Sequence, residues 1–360
     1  MAEQLAVADL QVDIKQIPLK QPFVTALRRV DAVNAVRVTV RLANGVTGIG
    51  TCTPNEKVTG DSLSSARAVI EETIKPLVLG KNLTDWKELL NTVKTSIVHN
   101  APAKAAVEIA LYNTRANLFG LTLSQLLGGK GGSVETDYTI SIGKAEQMIA
   151  NAQKMVDQGF KTLKLKLGAG HLKRDIKRDI KRDIKLVEDL AYAAGPMVHL
   201  RLDMNQAWDV RQTMQAAEYW YKQGLLIDFI EQPVPAWDLD SMAYLTRHSP
   251  YPIMADESVE SYEDAQRVLA KNACDYINIK LMKTGGLSEA QKINDLAESR
   301  GVPTMVGSMI ESIESLAAAC AFYRANPNTI FADLDAIFMV DQDPDLNSYA
   351  ECFGDNIVVR

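Results

Sequence analysis

The hydrophobic and polar residues follow two different patterns before residue 128. Up to about residue 60, apolar and polar residues alternate, as in LQVDIKQIPL and AVRVTVRLANGVTGIG, which is typical of strands with one buried face. The Asn44-Gly45 pair between two such runs predicts a hairpin turn. From about residue 62 to 127 the apolar residues recur at helical spacing. Strands followed by helices, without alternation, predict a separate α+β domain.

Beyond residue 128 the pattern becomes a regular alternation of strand-like and helical stretches. A glycine-rich run at 128–132 lacks the spacing of a phosphate-binding loop and is predicted to be a domain linker. Eight strand-like runs follow, near residues 135–142, 161–167, 198–203, 227–232, 252–256, 276–280, 303–308 and 330–335. Eight such units predict a closed (β/α)8-type barrel, a modified TIM barrel, rather than an open doubly wound sheet.

These patterns divide the chain into three parts. Residues 1–127 are predicted to form the α+β domain, residues 133–335 the barrel, and residues 336–360 a C-terminal segment that returns to the first domain. No Gly-x-Gly-x-x-Gly run follows the first strand of any unit, which argues against a dinucleotide-binding fold.

One segment interrupts the regular spacing, because residues 173–184 read KRDI three times in succession. Without two of the copies, the interval between the strand-like runs 161–167 and 198–203 would match the intervals between the other runs. We infer an eight-residue duplication that lengthens the second barrel helix by about 12 Å, roughly two turns. Ile176, Ile180 and Ile184 would then form an apolar stripe, and the charged residues would pair at i,i+4 spacing. A solvated helix extension is the simpler interpretation, and a partner-binding protrusion is the alternative.

Composition and charge exclude several classes of function. The 39 basic and 45 acidic residues give a formal net charge of −6, which argues against nucleic acid as a partner. The four cysteines lie far apart without a Cys-x-x-Cys pair, which is typical of a reduced, cytoplasmic protein. No secretory signal pattern opens the chain, and no run approaches the ~18 apolar residues that cross a bilayer, so no membrane partner is expected. A homo-oligomer stays open.

Polar residues suited to chemistry stand at the ends of the predicted barrel strands. At intervals of 24 to 37 residues they are Lys166, Asp203, Glu231, Asp256, Lys280, Ser308 and Asp335. In a (β/α)8 barrel the C-terminal ends of all strands converge on one face, and that face holds the active site. The sequence therefore predicts three carboxylates bracketed by lysines at a single site.

The carboxylates of Asp203, Glu231 and Asp256 are predicted to bind a metal. A single such residue is more often a helix cap or an ion-pair partner, but three at consecutive strand ends favour a shared ligand. Ligation by oxygen alone suits Mg²⁺, whereas zinc favours His or Cys. None of the four histidines ends a predicted strand on that face.

Three lysines are candidate acid–base groups. Lys164 and Lys166 are two residues apart on one strand and point to the same side, and Lys280 ends a strand beyond the carboxylates. A lysine with the ordinary pKa of ~10.4 is a poor base at neutral pH, but a nearby ammonium group and a divalent cation both lower that pKa. Lys166 and Lys280 are predicted to remove and return a proton on opposite faces of a metal-bound carboxylate, with Lys164 assisting Lys166. The metal would offset the charge of the developing enolate.

The chain resembles the enolase superfamily, in its muconate-lactonizing-enzyme-like subgroup, in the segments KLK, LDMN, EQP, ADES and INIKLMKTGG. The resemblance covers most of the chain and implies that residues 1–127 form the capping domain of that family. A Lys or His base working with Mg²⁺ is a known feature of this superfamily. Within the subgroup, the segments FVTALRRV, ETDYTISI, VGSMIES and DLD are most similar to the dipeptide epimerases.

This resemblance implies an isomerase that uses Mg²⁺ to epimerise a dipeptide at the α-carbon of its C-terminal residue. L-Ala-L-Glu and L-Ala-D-Glu are the expected pair, which implies a part in handling peptidoglycan peptides. Asp333 and Asp335 match the positions that bind the dipeptide ammonium group, and Arg28 matches the position that contacts the glutamate side chain. The other substrate contacts implied by the family are Thr139, Lys164, Ser308 and Ile310.

Other functions stay open at this point. Epimerisation of hydrophobic dipeptides, cycloisomerisation and o-succinylbenzoate synthesis are alternative reactions on the same site. Substrates of the last two reactions carry no ammonium group, so Asp333 and Asp335 argue against them. A non-catalytic metal-binding barrel, or an interaction protein that uses the KRDI helix, is an alternative of a different class, and the lysine pair argues against it.

Overall fold

The computed structural model describes residues 2–25, 29–168, 176–341, 345 and 349–359. Its N-terminal domain packs helices on an antiparallel sheet of order β1-β2-β3, with β1 (Val7–Val24), β2 (Arg29–Leu42) and β3 (Thr47–Cys52). The helices are α1 (Leu63–Ala68), α2 (Lys75–Val78), α3 (Trp86–Thr95), α4 (Ala101–Phe119) and α5 (Leu123–Leu126), with a 3-10 turn at Ala2–Leu5 and a π-helical turn at Val69–Ile74. Gly45 has the positive φ of +88° in the turn that joins β2 to β3, as the predicted hairpin requires. The α+β prediction is confirmed.

Eight parallel strands form the second sheet, in the order β12-β11-β10-β9-β8-β7-β6-β5. They are β5 (Tyr138–Ile140), β6 (Thr162–Lys166), β7 (His199–Asp203), β8 (Ile227–Glu231), β9 (Ile253–Ala255), β10 (Tyr276–Lys280), β11 (Thr304–Gly307) and β12 (Thr329–Asp333). The first and last strands approach each other, since the Leu334 amide donates to the Thr136 hydroxyl at 2.8 Å. The predicted barrel class is confirmed, with a nearly closed sheet.

Helices follow the barrel strands. They are α6 (Ala145–Asp157), α7 (Ile176–Ala194), α8 (Val210–Lys222), α9 (Leu239–His248), α10 (Tyr262–Ala270), α11 (Leu281–Thr284), α12 (Leu287–Ser299), α13 (Ile313–Ala325) and α14 (Ala336–Met339). No helix in the described part of the chain is both long and apolar enough to span a membrane.

The C-terminal segment contacts both larger parts of the molecule. Its hairpin of β13 (Ala350–Phe353) and β14 (Asn356–Val359) pairs with the short strand β4 (Ser133–Glu135) in a third sheet of order β13-β14-β4. Before that hairpin, Val340 forms a bridge with Leu19 of β1. The segment therefore lies along the N-terminal sheet first and then against the entry to the barrel.

The barrel interior has an apolar floor beneath a polar layer. The floor consists of large side chains that point inward from five neighbouring strands: Phe229, Met254, Tyr276, Met305 and Phe331. Because side chains alternate along a strand, the residue two positions later points into the same interior, nearer the C-terminal end. Glu231, Asp256 and Asp333 stand at such positions. The floor thus separates the polar layer from the opposite end of the barrel.

Buried carboxylates fasten the N-terminal domain to the barrel. Glu314 of α13 lies 3.1 Å from the Lys15 ammonium group and 3.8 Å from the Arg37 guanidinium group. On another side, Glu108 of α4 accepts hydrogen bonds from the amide and hydroxyl of Ser288 at 2.6 and 2.8 Å, at the start of α12. Burial raises the pKa of Glu108 to about 7. These contacts fix how the N-terminal domain covers the barrel mouth.

The second and third copies of the KRDI repeat contribute to the fold. Ile180 is buried in the hydrophobic core, and the partly buried Ile184 packs against that core, as the predicted apolar stripe requires. The side chain of Asp183 is buried and accepts a hydrogen bond from the Gly168 amide at 3.0 Å. Residues 169–175, including the start of the repeat, lie outside the described residues, as does the side chain of Ile176. Asp183 of the final copy therefore fixes the backbone at Gly168, just after β6.

The contact between β3 and α4 is so close that only glycine fits at Gly50. A β-carbon there would lie 2.2 Å from the Ala106 carbonyl oxygen and 2.5 Å from the Ala110 amide nitrogen. We expect Gly50→Ala to lower the free energy of unfolding by about 3 kcal/mol, because overpacking forces helix and sheet apart. Urea denaturation measures this change. Gly131→Ala is the control, since a β-carbon there meets nothing within 4 Å. Equal stability of both variants would contradict the close contact.

Candidate active site

Adjacent parallel strands bring the predicted residues to one end of the barrel. In the strand register Lys166 of β6 pairs with Asp203 of β7, and Asp203 pairs with Glu231 of β8. Asp256 comes directly after β9, and Lys280 is the last residue of β10. Five consecutive strands therefore each place one ionisable side chain at the same level of the barrel.

Asp203, Glu231 and Asp256 form a compact group of buried carboxylates. One oxygen from each lies within 4.8 Å of the others. The backbone amide of Asn205 donates to Asp203 Oδ1 at 2.8 Å, and the side-chain amide of Asn278 donates to Glu231 Oε1 at 2.8 Å. These bonds fix the orientation of two of the three carboxylates.

The residues of this group fit Mg²⁺. All three would offer carboxylate oxygens, the ligands that hard divalent cations prefer. Within the described residues, several nearby buried oxygens accept no hydrogen bond, namely Glu231 Oε2, Asn205 Oδ1 and Glu257 Oε2. Glu231 Oε2 still lies 2.6 Å from the Lys164 ammonium group, as an ion pair. Because buried acceptors are normally satisfied, these oxygens indicate a place for a cation and its bound water.

Charge crowding gives the carboxylates different acidities. Burial, with Asp203 and Asp256 close by, raises the pKa of Glu231 to about 7 although Lys164 opposes this. Burial also disfavours the charge on Asp203, but the ammonium groups of Lys166 and Lys164 outweigh it and lower the pKa of that carboxyl. A divalent cation bound among the three carboxylates would favour the charged form of Glu231.

The two candidate acid–base lysines lie on opposite sides of the carboxylates. The Lys166 ammonium group is 2.5 Å from Asp203 Oδ2, and that of Lys280 is 2.7 Å from Asp256 Oδ2. The strands β7, β8 and β9 separate the strands that carry them. Burial disfavours the charged form of Lys280, but Asp256, Glu231 and Asp333 together outweigh burial and raise the Lys280 pKa. A general base needs a lower pKa, and Asp256 would stabilise the ammonium group less when its charge is shared with a metal.

A fourth lysine at the site, Lys283, was missed in the sequence. Its ammonium group is buried and donates to Asp256 Oδ1 at 2.6 Å and to the Asn278 carbonyl oxygen at 3.1 Å. Burial disfavours charge on Asp256, yet Lys280 and Lys283 together hold its pKa well below the usual range. The short helix α11 turns Lys283 back toward the carboxylates, and the spacing in KLMKTGG gives no sign of that turn.

Asn278 was missed as well, although a signal for it was present. It lies two residues before Lys280 on β10, so strand alternation predicts that both side chains point into the barrel. Asn205 and Glu257 were also not predicted as site residues, although they lie within the segments LDMN and ADES, and their side chains are 3.4 Å apart. They lie beyond the strand ends, where strand alternation no longer predicts the direction of a side chain.

Most of the predicted substrate contacts line one cavity of about 70 Å³. The barrel contributes Thr139, Lys166, Lys280, Ser308, Ile310, Asp333 and Asp335, and the N-terminal domain contributes Phe23, Thr25, Asn55 and Val58. Lys164 lies beneath this cavity, fully buried, with its ammonium group 2.7 Å from Asp333 Oδ2. Arg28 lies outside the described residues. A larger cavity of about 500 Å³ between α4, α5 and α13 contains none of the predicted residues.

The carboxyl groups of Asp333 and Asp335 differ in pKa. Burial opposes the charge on Asp333, but Lys164, with Lys166 beyond it, lowers the pKa of that carboxyl to about 2. Burial, followed by repulsion from Asp333, raises the pKa of Asp335 to about 7, although its Oδ2 accepts a hydrogen bond from the Thr139 amide at 2.5 Å. A cationic ligand beside this pair would favour the charged form of Asp335, so that both carboxylates carry a negative charge.

Comparison with known proteins agrees with this geometry. The family description "Mandelate racemase / muconate lactonizing enzyme, N-terminal domain" matches residues 8–128, and "Enolase C-terminal domain-like" matches residues 147–349. An L-Ala-D/L-Glu epimerase from Bacillus subtilis is 41% identical over 327 residues, which are 91% of this chain and 87% of that protein.

Solved structures give the same result. A substrate-liganded complex of the L-Ala-D/L-Glu epimerase from Bacillus subtilis has a TM-score of 0.94 at 39% identity, covering 99% of this chain and 96% of that one. A dipeptide epimerase from Enterococcus faecalis, complexed with Mg and L-Leu-L-Tyr, has a TM-score of 0.91 at 32% identity, covering 99% and 97%. The chain therefore belongs to the mandelate racemase / muconate lactonizing enzyme family of the enolase superfamily.

Proposed function

We propose that this protein is a Mg²⁺-dependent dipeptide epimerase that inverts the α-carbon of the C-terminal residue. The observation that carries the proposal is the placement of Lys166 and Lys280 on opposite sides of a buried carboxylate triad. Inversion of a carbon centre needs one group that removes a proton from one face and another that supplies a proton to the other face. The similarity to dipeptide epimerases over nearly the whole chain supports the same reaction.

Each residue has a definite task in this reaction. Asp203, Glu231 and Asp256 would hold Mg²⁺, which supplies positive charge beside the substrate carboxylate and so makes the α-proton more acidic. One of Lys166 and Lys280 removes that proton, and the other delivers a proton to the opposite face. These roles exchange in the reverse reaction. Lys164 is buried below the cavity, 2.6 Å from Glu231 Oε2 and 2.7 Å from Asp333 Oδ2, and would assist Lys166 and the substrate carboxylate.

The preferred substrate pair is L-Ala-L-Glu and L-Ala-D-Glu, which belongs to peptidoglycan peptide metabolism. Asp333 and Asp335 lie at the cavity wall, where they would bind the dipeptide ammonium group. Thr139, Ser308 and Ile310 line the same cavity and would contact the peptide. Arg28 would bind the glutamate side chain, because a guanidinium group pairs with a carboxylate through two parallel hydrogen bonds.

Epimerisation of hydrophobic dipeptides is the second candidate. Phe23 and Val58 of the N-terminal domain and Met309 and Ile310 of the barrel give the described cavity an apolar wall. Such a wall suits an aliphatic or aromatic side chain, and the Enterococcus faecalis relative was crystallised with L-Leu-L-Tyr. The contribution of Arg28 decides between the two candidates.

The cellular setting is proposed from the thiols. Cys52, Cys274 and Cys320 are buried and free, and Cys352 is half-buried and free. Free thiols are typical of a reducing compartment, which favours a cytoplasmic enzyme that acts on small dipeptides. Assembly as a homo-oligomer is compatible with this proposal.

Incubation with L-Ala-L-Glu and Mg²⁺ in D₂O tests the reaction directly. We expect the glutamate α-proton signal to disappear from the proton NMR spectrum while signals of the L,D diastereomer appear. Chelation of the metal by EDTA should abolish both changes, and added Mg²⁺ should restore them. Exchange that resists EDTA would contradict the metal requirement, and no exchange with any dipeptide would contradict the proposed function.

Removal of one acid–base lysine should separate exchange from inversion. In Lys166→Ala or Lys280→Ala, we expect epimerisation to fall by about 10³-fold or more, because one face loses its proton donor. The remaining lysine should still exchange the α-proton of one diastereomer only, and the two variants should act on opposite diastereomers. Lys161→Ala is the control, because Lys161 is exposed on the outside of the barrel. Loss of exchange from the same diastereomer in both variants would rule out the two-lysine mechanism.

Arg28→Ala tests the substrate assignment. We expect KM for L-Ala-L-Glu to rise by about 100-fold, because the side-chain carboxylate loses a paired cation, while KM for L-Ala-L-Leu changes little. Arg29→Ala is the matched control, since Arg29 is exposed and pairs with Asp31 at 2.9 Å. Unchanged turnover of L-Ala-L-Glu in Arg28→Ala would contradict the glutamate assignment and favour hydrophobic dipeptides as substrates.

A further inference from the structure

A buried ion pair lies beside the proposed ammonium-binding residues. Arg201 of β7 donates to Asp137 Oδ2 at 2.8 Å and to the Ala332 carbonyl oxygen at 2.9 Å. Its guanidinium group packs near the rings of Phe331 and Phe229, at 4.7 and 5.5 Å from their centroids. The aromatic floor and these hydrogen bonds hold Arg201 in one position, and Arg201 in turn fixes Asp137.

Asp137 completes a group of three carboxylates with Asp333 and Asp335. One oxygen from each lies within 4.8 Å of the others. Asp137 is 1% exposed, and its Oδ1 accepts no hydrogen bond from any described residue. A buried acceptor without a donor is rare and needs an explanation. A substrate ammonium group bound by Asp333 and Asp335 is the positive charge that the proposed function brings near Asp137.

The fixed cations near this group are shared with other carboxylates. Arg201 contacts Asp137 but also lies 3.3 Å from Asp228 Oδ2. Lys164 contacts Asp333 at 2.7 Å but also Glu231 at 2.6 Å. The three carboxylates therefore keep negative charge that an additional cation can balance.

The pKa values of Asp137 and Asp335 agree with this lack of balancing positive charge. Burial and then Asp333 raise the pKa of Asp137 well above its usual range, although Arg201 and Lys164 oppose the rise. Burial and Asp333 likewise raise the pKa of Asp335 to about 7. A substrate ammonium group beside these carboxyl groups would oppose the rise in pKa and favour their charged forms.

We propose that Asp137, held by Arg201, is a positioning residue that makes the site select substrates with a free ammonium group. It adds a third carboxylate behind Asp333 and Asp335, and it acts through them rather than through the reacting atoms. The inference rests on the proposed function, because it assigns the ammonium group of the dipeptide to Asp333 and Asp335.

A pair of ligands that differ only in the amine tests this role. L-Ala-L-Glu is the substrate, and propionyl-L-glutamate, in which hydrogen replaces the ammonium group, is used as a competitive inhibitor. In Asp137→Asn we expect KM for L-Ala-L-Glu to rise about tenfold with kcat within about twofold, because a buried charge near the ammonium group is lost. The inhibition constant of propionyl-L-glutamate should stay unchanged, so the preference for the amine falls about tenfold.

Asp228→Asn is the matched control. It removes the other carboxylate that contacts Arg201, on the side of His199, whose Nδ1 lies 2.6 Å from Asp228. We expect it to leave the preference for the amine as in the wild type. If Asp137→Asn does not fold, the double variant Asp137→Asn/Arg201→Met removes the whole ion pair and should lose the same preference, since an apolar replacement of a buried pair is often tolerated.

The outcomes separate the two proposals. If the wild type epimerises L-Ala-L-Glu but the Asp137 variants keep its preference for the amine, the positioning role is overturned and the proposed function stands. Equal weakening of both ligands would also overturn it, because a merely structural defect affects both. A wild type that acts on no dipeptide would overturn the two proposals together.

Discussion

The rest of this structure depends on one constraint, the balance of charge among buried groups inside the barrel. Asp203, Glu231 and Asp256 place three carboxylate oxygens within 4.8 Å of one another. Each unpaired charge at such a depth costs several kcal/mol. Ammonium groups at 2.5 to 2.7 Å offset part of this cost. The ammonium groups that offset this buried charge are therefore the groups proposed to transfer the proton, and a divalent cation would complete the balance of charge.

The barrel meets this constraint through its layers. Large apolar side chains such as Phe229 and Phe331 close the interior from below and keep the polar layer away from water at the other end. Low access of water strengthens every ion pair above the floor. The N-terminal domain closes the other side with Phe23 and Val58, and buried contacts at Glu314 and Glu108 hold it there. Chemistry at the site thus depends on packing at a distance from it.

Part of this organisation was readable from the sequence. Strand alternation and the spacing of Lys166, Asp203, Glu231 and Asp256 predicted a barrel with a carboxylate site, because a parallel strand fixes which end and which face each side chain takes. The same rule applies to Asn278, which could have been found two residues before Lys280. Lys283 could not be found this way, because it lies on the short helix α11 beyond the end of β10, where strand alternation no longer applies.

The sequence by itself determined the fold class, the order of its elements and the residue types of the candidate metal site, since these follow from local periodicity and from motifs. Outside that site, tertiary structure alone decided which charges meet. Asp137 and Arg201 are 64 residues apart, and Lys15 and Glu314 are 299 apart, yet each pair is in contact. Such pairings arise when the sheet curves into a barrel and the N-terminal domain docks on it. They are set by the global packing of buried charge, which no local pattern of residues records.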